Sequence, residues 1–394
     1  MISAIRIRNY KGIKRSPWIE LGQFHVLVGP NASGKSTFLD AIEFVKTCLI
    51  RSPVEAVEER ADFRDLTFLR QGGPIEFDIR LKLAESAIDT PAILSYRLVL
   101  TSDQKLGIRV REELLSKDSG NGARAGQIRR ILGKTQTGND FYRREQGTYT
   151  DSFQFGPGKL ALSLIPPDRQ RYPTGNAVRE FLTQGVRYLQ LNSVAMRRPT
   201  PATRPAELEL DGTNLARVVG NLVKNAMLDS ESESGLALSR WTDHLRYALK
   251  DLQSIGWAAR KPDNAEYLVL RFDGGLECPS WLLSDGTLRM LALTLPAFLP
   301  GQSALYMVEE PENGVHPHAI EIILKALAAI PRAQVFIATH SPLVIQEVGP
   351  GPLLCFTREN ATGVRIVHGP NHPALKNWDG TPDLSSIFSS RVLG

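Results

Sequence analysis

Cysteine is scarce in this chain: Cys48, Cys278 and Cys355 lie far apart among 394 residues, with no CxxC pair. That spacing excludes a disulfide framework and a thiolate zinc site, and it points to a reducing, cytoplasmic setting. Long apolar runs are missing as well. No uncharged stretch approaches the roughly 18 residues that a membrane-spanning helix requires. The opening MISAIRIRNYKGIK alternates apolar and charged residues where a secretory leader would be continuously apolar. Sustained heptads are absent, which excludes long coiled-coil arms, and there is no internal repeat or low-complexity tract. Charge of one sign is in short supply: 47 Lys and Arg face 42 Asp and Glu, so the chain is neither a disordered polyelectrolyte nor a fibre. What remains is a globular protein long enough for two or three domains at roughly 150 residues each.

The net charge of +5 conceals an asymmetry. Residues 109–204 carry 17 Lys and Arg against 8 Asp and Glu, leaving the rest of the chain at −4. Gly, Pro and Ser mark loops at 116–126 and 198–206. Period-two alternation predicts strands at 2–7, 24–28, 75–83, 94–101 and 106–114. Helical spacing appears at 36–49, 212–227, 236–252, 287–298 and 318–329, several of these preceded by Ser, Thr or Asp. Two short apolar runs, 304–308 and 335–338, have the character of strands buried on both faces of a parallel sheet. The pattern predicts an α/β fold in which residues 1–105 and 276–394 build one domain around a basic, β-rich and helical insertion at 106–275.

The strand Phe24–Val28 runs straight into Gly29-Pro30-Asn31-Ala32-Ser33-Gly34-Lys35-Ser36-Thr37, and an amphipathic helix follows. This is GxxxxGKS in the strand, loop and helix context it needs. Gly29 and Gly34 let the loop wrap, with Asn31, Ser33 and Thr37 completing it and backbone N–H groups pointing inward. The helix N-terminus adds positive potential, Lys35 reaches the terminal phosphates and Ser36 ligates Mg²⁺. These residues predict binding of ATP or a similar triphosphate. A kinase, a GTPase and an ABC-type ATPase share the loop, so other residues decide the class.

Residues 304–312, ALYMVEEPE, form an apolar strand ending in acids. Glu309 is suited to hold Mg²⁺ through water and Glu310 to polarise an attacking water; a strand ending in a solvated acidic turn has the same look. Leu283-Ser284-Asp285-Gly286-Thr287-Leu288-Arg289 sets a small polar turn before an apolar helix. That is either a helix N-terminus receiving a phosphate or a plain Ser cap. Thr339-His340-Ser341-Pro342 ends a second apolar strand, where an imidazole contacts a γ-phosphate or serves structure alone. The order and spacing of all four elements favour one nucleotide-hydrolysing mechanism.

Together, GPNASGKST, LSDGTLR, EEPENGVHP and THSP resemble the motifs of ABC-type P-loop ATPases of the SMC and RecF kind. More closely, they resemble an AAA-type-core family common in bacterial defence loci. AIRIRNYKGIK is similar to that family's first strand, and YLQLNSVAMRRP and LELDGTNLARVV are similar to its middle; the likeness is weakest at 115–180. The resemblance implies that LSDGT replaces the signature LSGGQ, with Asp285 and Thr287 as departures, and that Ser284 and Gly286 touch a γ-phosphate bound by a second subunit. It implies His340 as the switch histidine, Glu312–His316 as the D-loop, and a homodimer or higher oligomer with ATP sandwiched between subunits. The Q-loop glutamine is unassigned, with Gln71 and Gln190 as candidates. Relatives of the OLD type carry a C-terminal Toprim nuclease, whereas 54 residues follow His340, too few for that domain. A separate effector, such as a nuclease, is therefore expected.

Rival chemistries fare worse. His316 and His318 flank Pro317 and diverge, which disfavours a metal cluster with the nearby acids. Glu309 and Glu310 as strand neighbours face opposite sides, unlike a glycosidase pair, and no nucleophile elbow is present. In the basic segment, Arg129, Arg130, Arg143, Arg144, Arg169, Arg171, Arg197 and Arg198, interspersed with Phe141, Tyr142, Tyr172 and Tyr188, suit nucleic acid, an acidic partner or a merely solvated surface. Two functions follow: a nucleotide-gated switch in a defence or DNA-maintenance complex, or a RecF-like DNA clamp. A transporter subunit is disfavoured by the size of the insertion.

Overall fold

A computed structural model describes residues 1–83, 93–103, 105–118, 128–135, 140–145, 149–229, 231–300, 304–359, 363–373 and 375. Among these, the largest sheet is antiparallel and nine-stranded: β1 (Ile2–Tyr10), β2 (Ile13–Arg15), β3 (Ile19–Glu20), β5 (Ile75–Leu81), β6 (Ile93–Asp103), β7 (Gly107–Asp118), β8 (Ile128–Thr135), β9 (Asp140–Arg143) and β10 (Thr150–Phe153). A second sheet has the order β11 (Val186–Leu189), β15 (Ala304–Glu309), β16 (Ala333–Ala338), β4 (Phe24–Val28), β17 (Leu353–Glu359) and β18 (Gly363–His368), parallel except for the last strand. A small antiparallel sheet joins β12 (Leu252–Ala259), β13 (Glu266–Phe272) and β14 (Glu277–Pro279).

Helices α1 (Lys35–Ile50), α2 (Pro53–Glu58) and α3 (Pro173–Glu180) precede α4 (Ser193–Met196), α5 (Leu215–Leu228) and α6 (Glu233–Arg246). They are followed by α7 (Asp285–Thr294), α8 (Pro317–Ala328) and α9 (Pro342–Val348). The parallel sheet is the divider between two cores. Because side chains alternate across a strand, Leu27, Phe336, Leu354 and Phe356 face α1 and the nine-stranded sheet. Their neighbours Val26, Val28, Ile337, Leu353 and Cys355 face the helices α5 to α9 and the small sheet. Burial on both sides explains why these strands read as unbroken apolar runs.

The turn between β6 and β7 contains the boundary expected at 105–106, so two neighbouring strands of one sheet lie on either side of it. Strand β7 extends to Asp118, so positions 116–118 of the loop expected at 116–126 are strand, and 119–126 lie outside the described residues. The helix expected over 236–252 ends at Arg246, whose guanidinium donates to the Leu252 carbonyl at 2.8 Å and fixes the start of β12. The one expected over 287–298 gives way after Thr294 to a tight turn containing Pro296, a residue that cannot donate to a helical ladder. Among the described residues, no helix is long and apolar enough to cross a membrane.

Candidate nucleotide site

The loop between β4 and α1 is shaped by what presses on it. At Gly34, where φ is 105°, a Cβ would lie 2.6 Å from Val364 Cγ2. At Gly29 it would lie 2.3 Å from the Phe356 carbonyl oxygen. Strands β17 and β18 thus back the loop so closely that only glycine fits these two positions. Inside it, Lys35 Nζ donates to the carbonyls of Gly29 at 2.8 Å and Pro30 at 3.0 Å. Burial pulls the Lys35 ammonium down to about 8, against the raising effect of Glu309 and Glu310. Ser33 Oγ is buried without a hydrogen-bond partner, and such an orphan donor is what a cradle awaiting phosphate oxygens presents.

A cleft of about 620 Å³ opens over the loop and is lined by Asn31, Ser33, Gly34, Lys35, Ser36 and Thr37, by Glu310 at the end of β15, and by His340 after β16. Glu310 adopts a left-handed conformation, φ 46°, an arrangement that costs on the order of 1–3 kcal/mol for a non-glycine residue and recurs at functional sites. It is held there by its own N–H to the Ala338 carbonyl at 2.7 Å, by Arg289 Nη2 donating to its carbonyl at 3.1 Å, and by Asn313 donating to its carboxylate. Glu309 Oε1 is buried and unpartnered, and the nearby Tyr188 phenol is pushed well up by burial and then by the Glu309 charge. Burial, and then Lys35, lower the His340 imidazole from its usual range, so it is neutral at neutral pH. The orphan oxygen of Ser33 lies in this cleft and fits a phosphate; Glu309, one residue before Glu310, is not among the described residues lining it, and with Ser36 it would hold a divalent cation.

Ser284 and Gly286 are not among the described residues lining this cleft. Ser284 caps α7, accepting from the Thr287 N–H at 3.1 Å, and is exposed. Gly286 is packed so tightly on the turn after Glu310 that a Cβ would lie 2.2 Å from the Gly314 carbonyl oxygen. Of the residues after Glu310, Glu312 accepts a hydrogen bond from Thr339, tying that turn to the segment carrying His340. Gln71 and Gln190 are both exposed and do not line the cleft. His316 and His318 do not diverge as expected: His316 accepts from the backbone of His318 at 3.4 Å and the two rings stack.

The profile of a family described as "AAA domain, putative AbiEii toxin, Type IV TA system" matches residues 24–346, from β4 to α9. The chain belongs to this family. Two solved structures share the architecture of this AAA protein. An SMC head bound to the C-winged helix domain of ScpA has 12% identity and a TM-score of 0.53, over 93% of this chain and 97% of that one. An SMC head domain with an extended coiled coil, bound to the C-terminal domain of ScpA from Pyrococcus furiosus, has 13% identity and a TM-score of 0.52, over 93% and 95%. No curated protein matches the chain. The AAA protein therefore has the mixed α/β architecture of SMC-head ABC ATPases.

The basic segment of the AAA protein does not form one patch. Arg144 chelates Asp151 at 2.8 and 2.7 Å, Arg129 donates to the Arg144 carbonyl at 2.9 Å, Arg169 pairs with Glu180 at 2.7 Å and Arg171 with Asp168 at 3.3 Å. Arg197 lies elsewhere, against the signature turn. No ion pair engages Arg130, Arg143 or Arg198 among the described residues. Tyr142 and Tyr172 are buried, so neither offers a face for stacking. Sequence reasoning missed the cleft wall formed by Lys11, Leu69, Arg70 and Arg358; the positive φ of Lys11, Leu69 and Arg70 has no signature in residue type.

Proposed function

We propose that this AAA protein binds and hydrolyses ATP with Mg²⁺, dimerises around two nucleotides, and acts as a nucleotide-gated switch for a separate effector, such as a nuclease, in a bacterial defence or DNA-maintenance complex. One observation carries the reading: Lys35, Ser36, Glu310 and His340 converge on one cleft, whereas Ser284 and Gly286 stand outside it, Ser284 exposed and Gly286 packed on the turn after Glu310. A subunit so built holds the phosphates and the base but leaves its signature for another subunit's nucleotide.

In this reading Lys35 and the loop N–H groups bind the phosphates, and the bound metal, held by Ser36 and Glu309, supplies neutralising charge. Glu310 accepts the proton of the attacking water. The neutral His340 offers an N–H to the γ-phosphate, and loss of that phosphate loosens the dimer. The family's description, which names a toxin and a toxin–antitoxin system, supports defence over repair. The unbridged cysteines support a reducing cytoplasm.

ATP turnover of the purified protein, with and without double-stranded DNA and with oligomer size recorded in each nucleotide state, tests the reading. Turnover that is insensitive to DNA, is lost in Lys35→Ala and Glu310→Gln, and is accompanied by ATP-dependent dimers is expected. Turnover raised by DNA with a steep salt dependence would move the assignment to a RecF-like clamp. Turnover unaffected by Glu310→Gln would overturn the catalytic assignment.

A further inference from the structure

We infer that Arg197 is a positioning residue for the signature turn, holding Ser284 where a second subunit's nucleotide meets it; this rests on the sandwich reading above. Arg197 follows α4, within the segment whose excess of cations suggests nucleic acid. Its side chain is spent elsewhere. Nε donates to the Leu283 carbonyl at 3.1 Å, and Nη2 pairs with Asp285 Oδ1 at 2.6 Å. The Arg197 carbonyl in turn accepts from Ser280 Oγ at 3.1 Å. One residue therefore grips the chain on both sides of Ser284.

The burial pattern gives this grip a direction. Ser280 and Leu283 are buried, while Ser284 and Asp285 are exposed. Arg197 thus joins a fixed base to the solvent-facing edge of the turn. Asp285 occupies a position where the ABC signature has glycine, and it adds a negative charge to a turn that is to meet a polyphosphate. A guanidinium at 2.6 Å neutralises that charge and converts the carboxylate into an anchor. Lysine cannot substitute fully, because its single ammonium lacks the planar fork that reaches a carbonyl and a carboxylate together. The segment bearing Arg197 continues from β11, which pairs in parallel with β15, Leu189 opposite Val308. The signature turn is thereby referenced to the same strand that delivers Glu309 and Glu310.

The test uses the full chain in a Glu310→Gln background. ATP-dependent dimerisation is measured by analytical ultracentrifugation, nucleotide affinity of the monomer by titration with a fluorescent ATP analogue, and the thermal midpoint by calorimetry. These are compared for Arg197→Ala, Arg197→Lys, Asp285→Asn and the Arg197→Ala/Asp285→Asn double variant. Arg197→Ala is expected to weaken dimerisation by about tenfold or more while monomer nucleotide affinity stays within about twofold, since truncating one member of a charge pair at an interface acts on association. Arg197→Lys recovers part of the loss, and the double variant loses less than the sum of the singles. Unchanged dimerisation in Arg197→Ala, strict additivity, or an equal fall in monomer nucleotide affinity would each overturn the assignment. If the parent itself forms no dimer with ATP, the sandwich reading falls and this inference with it; if the parent dimerises and Arg197→Ala matches it, only the Arg197 assignment falls.

Discussion

The loop around Lys35 and the turn around Ser284 are both polar junctions leading into a helix, yet they are built in opposite ways. The first is enclosed: strands β17 and β18 press on Gly29 and Gly34, Lys35 is buried, and Ser33 Oγ has no partner. The second is exposed and internally satisfied, with Ser284 committed to capping α7 and Asp285 committed to Arg197. An unsatisfied, enclosed cradle suits a ligand of its own, and the proposed sandwich gives the satisfied, exposed turn a second subunit's nucleotide to meet. The difference teaches where one subunit's chemistry ends.

The largest expected effect lies at the enclosed site. Glu310→Gln keeps the shape and removes the base, so kcat should fall by about a thousandfold while ATP binding and the ATP dimer persist, as loss of a general base predicts. Single-turnover kinetics with sedimentation would check both halves, and a simultaneous loss of binding would erase the distinction between chemistry and assembly. Lys35→Ala should instead act on affinity, weakening nucleotide binding by about a hundredfold, the scale of a charge-assisted contact removed. Calorimetric titration of the monomer measures this directly.

Gly286→Ala sharpens the comparison from the other side. Its new Cβ would meet backbone at Gly314, 2.2 Å away, which has no side chain to yield. The expected cost is about 1–3 kcal/mol of stability, typical of overpacking, together with weakened dimers. Nucleotide affinity of the monomer should be retained. If affinity fell in parallel with dimerisation, the two regions would not be separable.

How much of this was legible in the sequence follows from how local each feature is. The phosphate loop was readable because its glycines, its lysine and its flanking strand and helix are contiguous. The two acids at the end of β15, Glu309 within it and Glu310 just after, were readable for the same reason, although the left-handed backbone at Glu310 depends on Ala338 and Arg289, which lie elsewhere in the chain. The signature stayed ambiguous between a cap and a phosphate site, and Ser284 does cap its helix. Arg197 falls in a basic run; its pairing with Asp285 joins residues far apart in sequence, and composition carries no trace of it. The hairpin strands β8 to β10 escaped individual assignment because β9 and β10 are only four residues long and their partners are set by the sheet they extend.

The smallest effect is a pH dependence that separates the two regions by titration. Burial lowers the Lys35 ammonium to about 8. Bound polyphosphate favours the charged form, so the lysine's pKa is higher in the complex and binding takes up a proton wherever the free site has lost one. The sign follows: affinity is level below about 8 and falls as pH rises through it, by up to about tenfold per unit until the bound value is reached. Phosphate protonation, with its second pKa near 6, leaves that window clear. His340 is present in both wild type and Lys35→Arg, so any proton the bound phosphate brings to its imidazole is common to the two and leaves the comparison to Lys35. An Arg197 or Asp285 variant should leave the slope intact, since neither group touches the cleft. Lys35→Arg, whose guanidinium stays charged, should flatten it. Titration of monomer affinity from neutral to alkaline pH would show equal slopes for wild type and Lys35→Arg only if the ammonium were not the group that meets the phosphates.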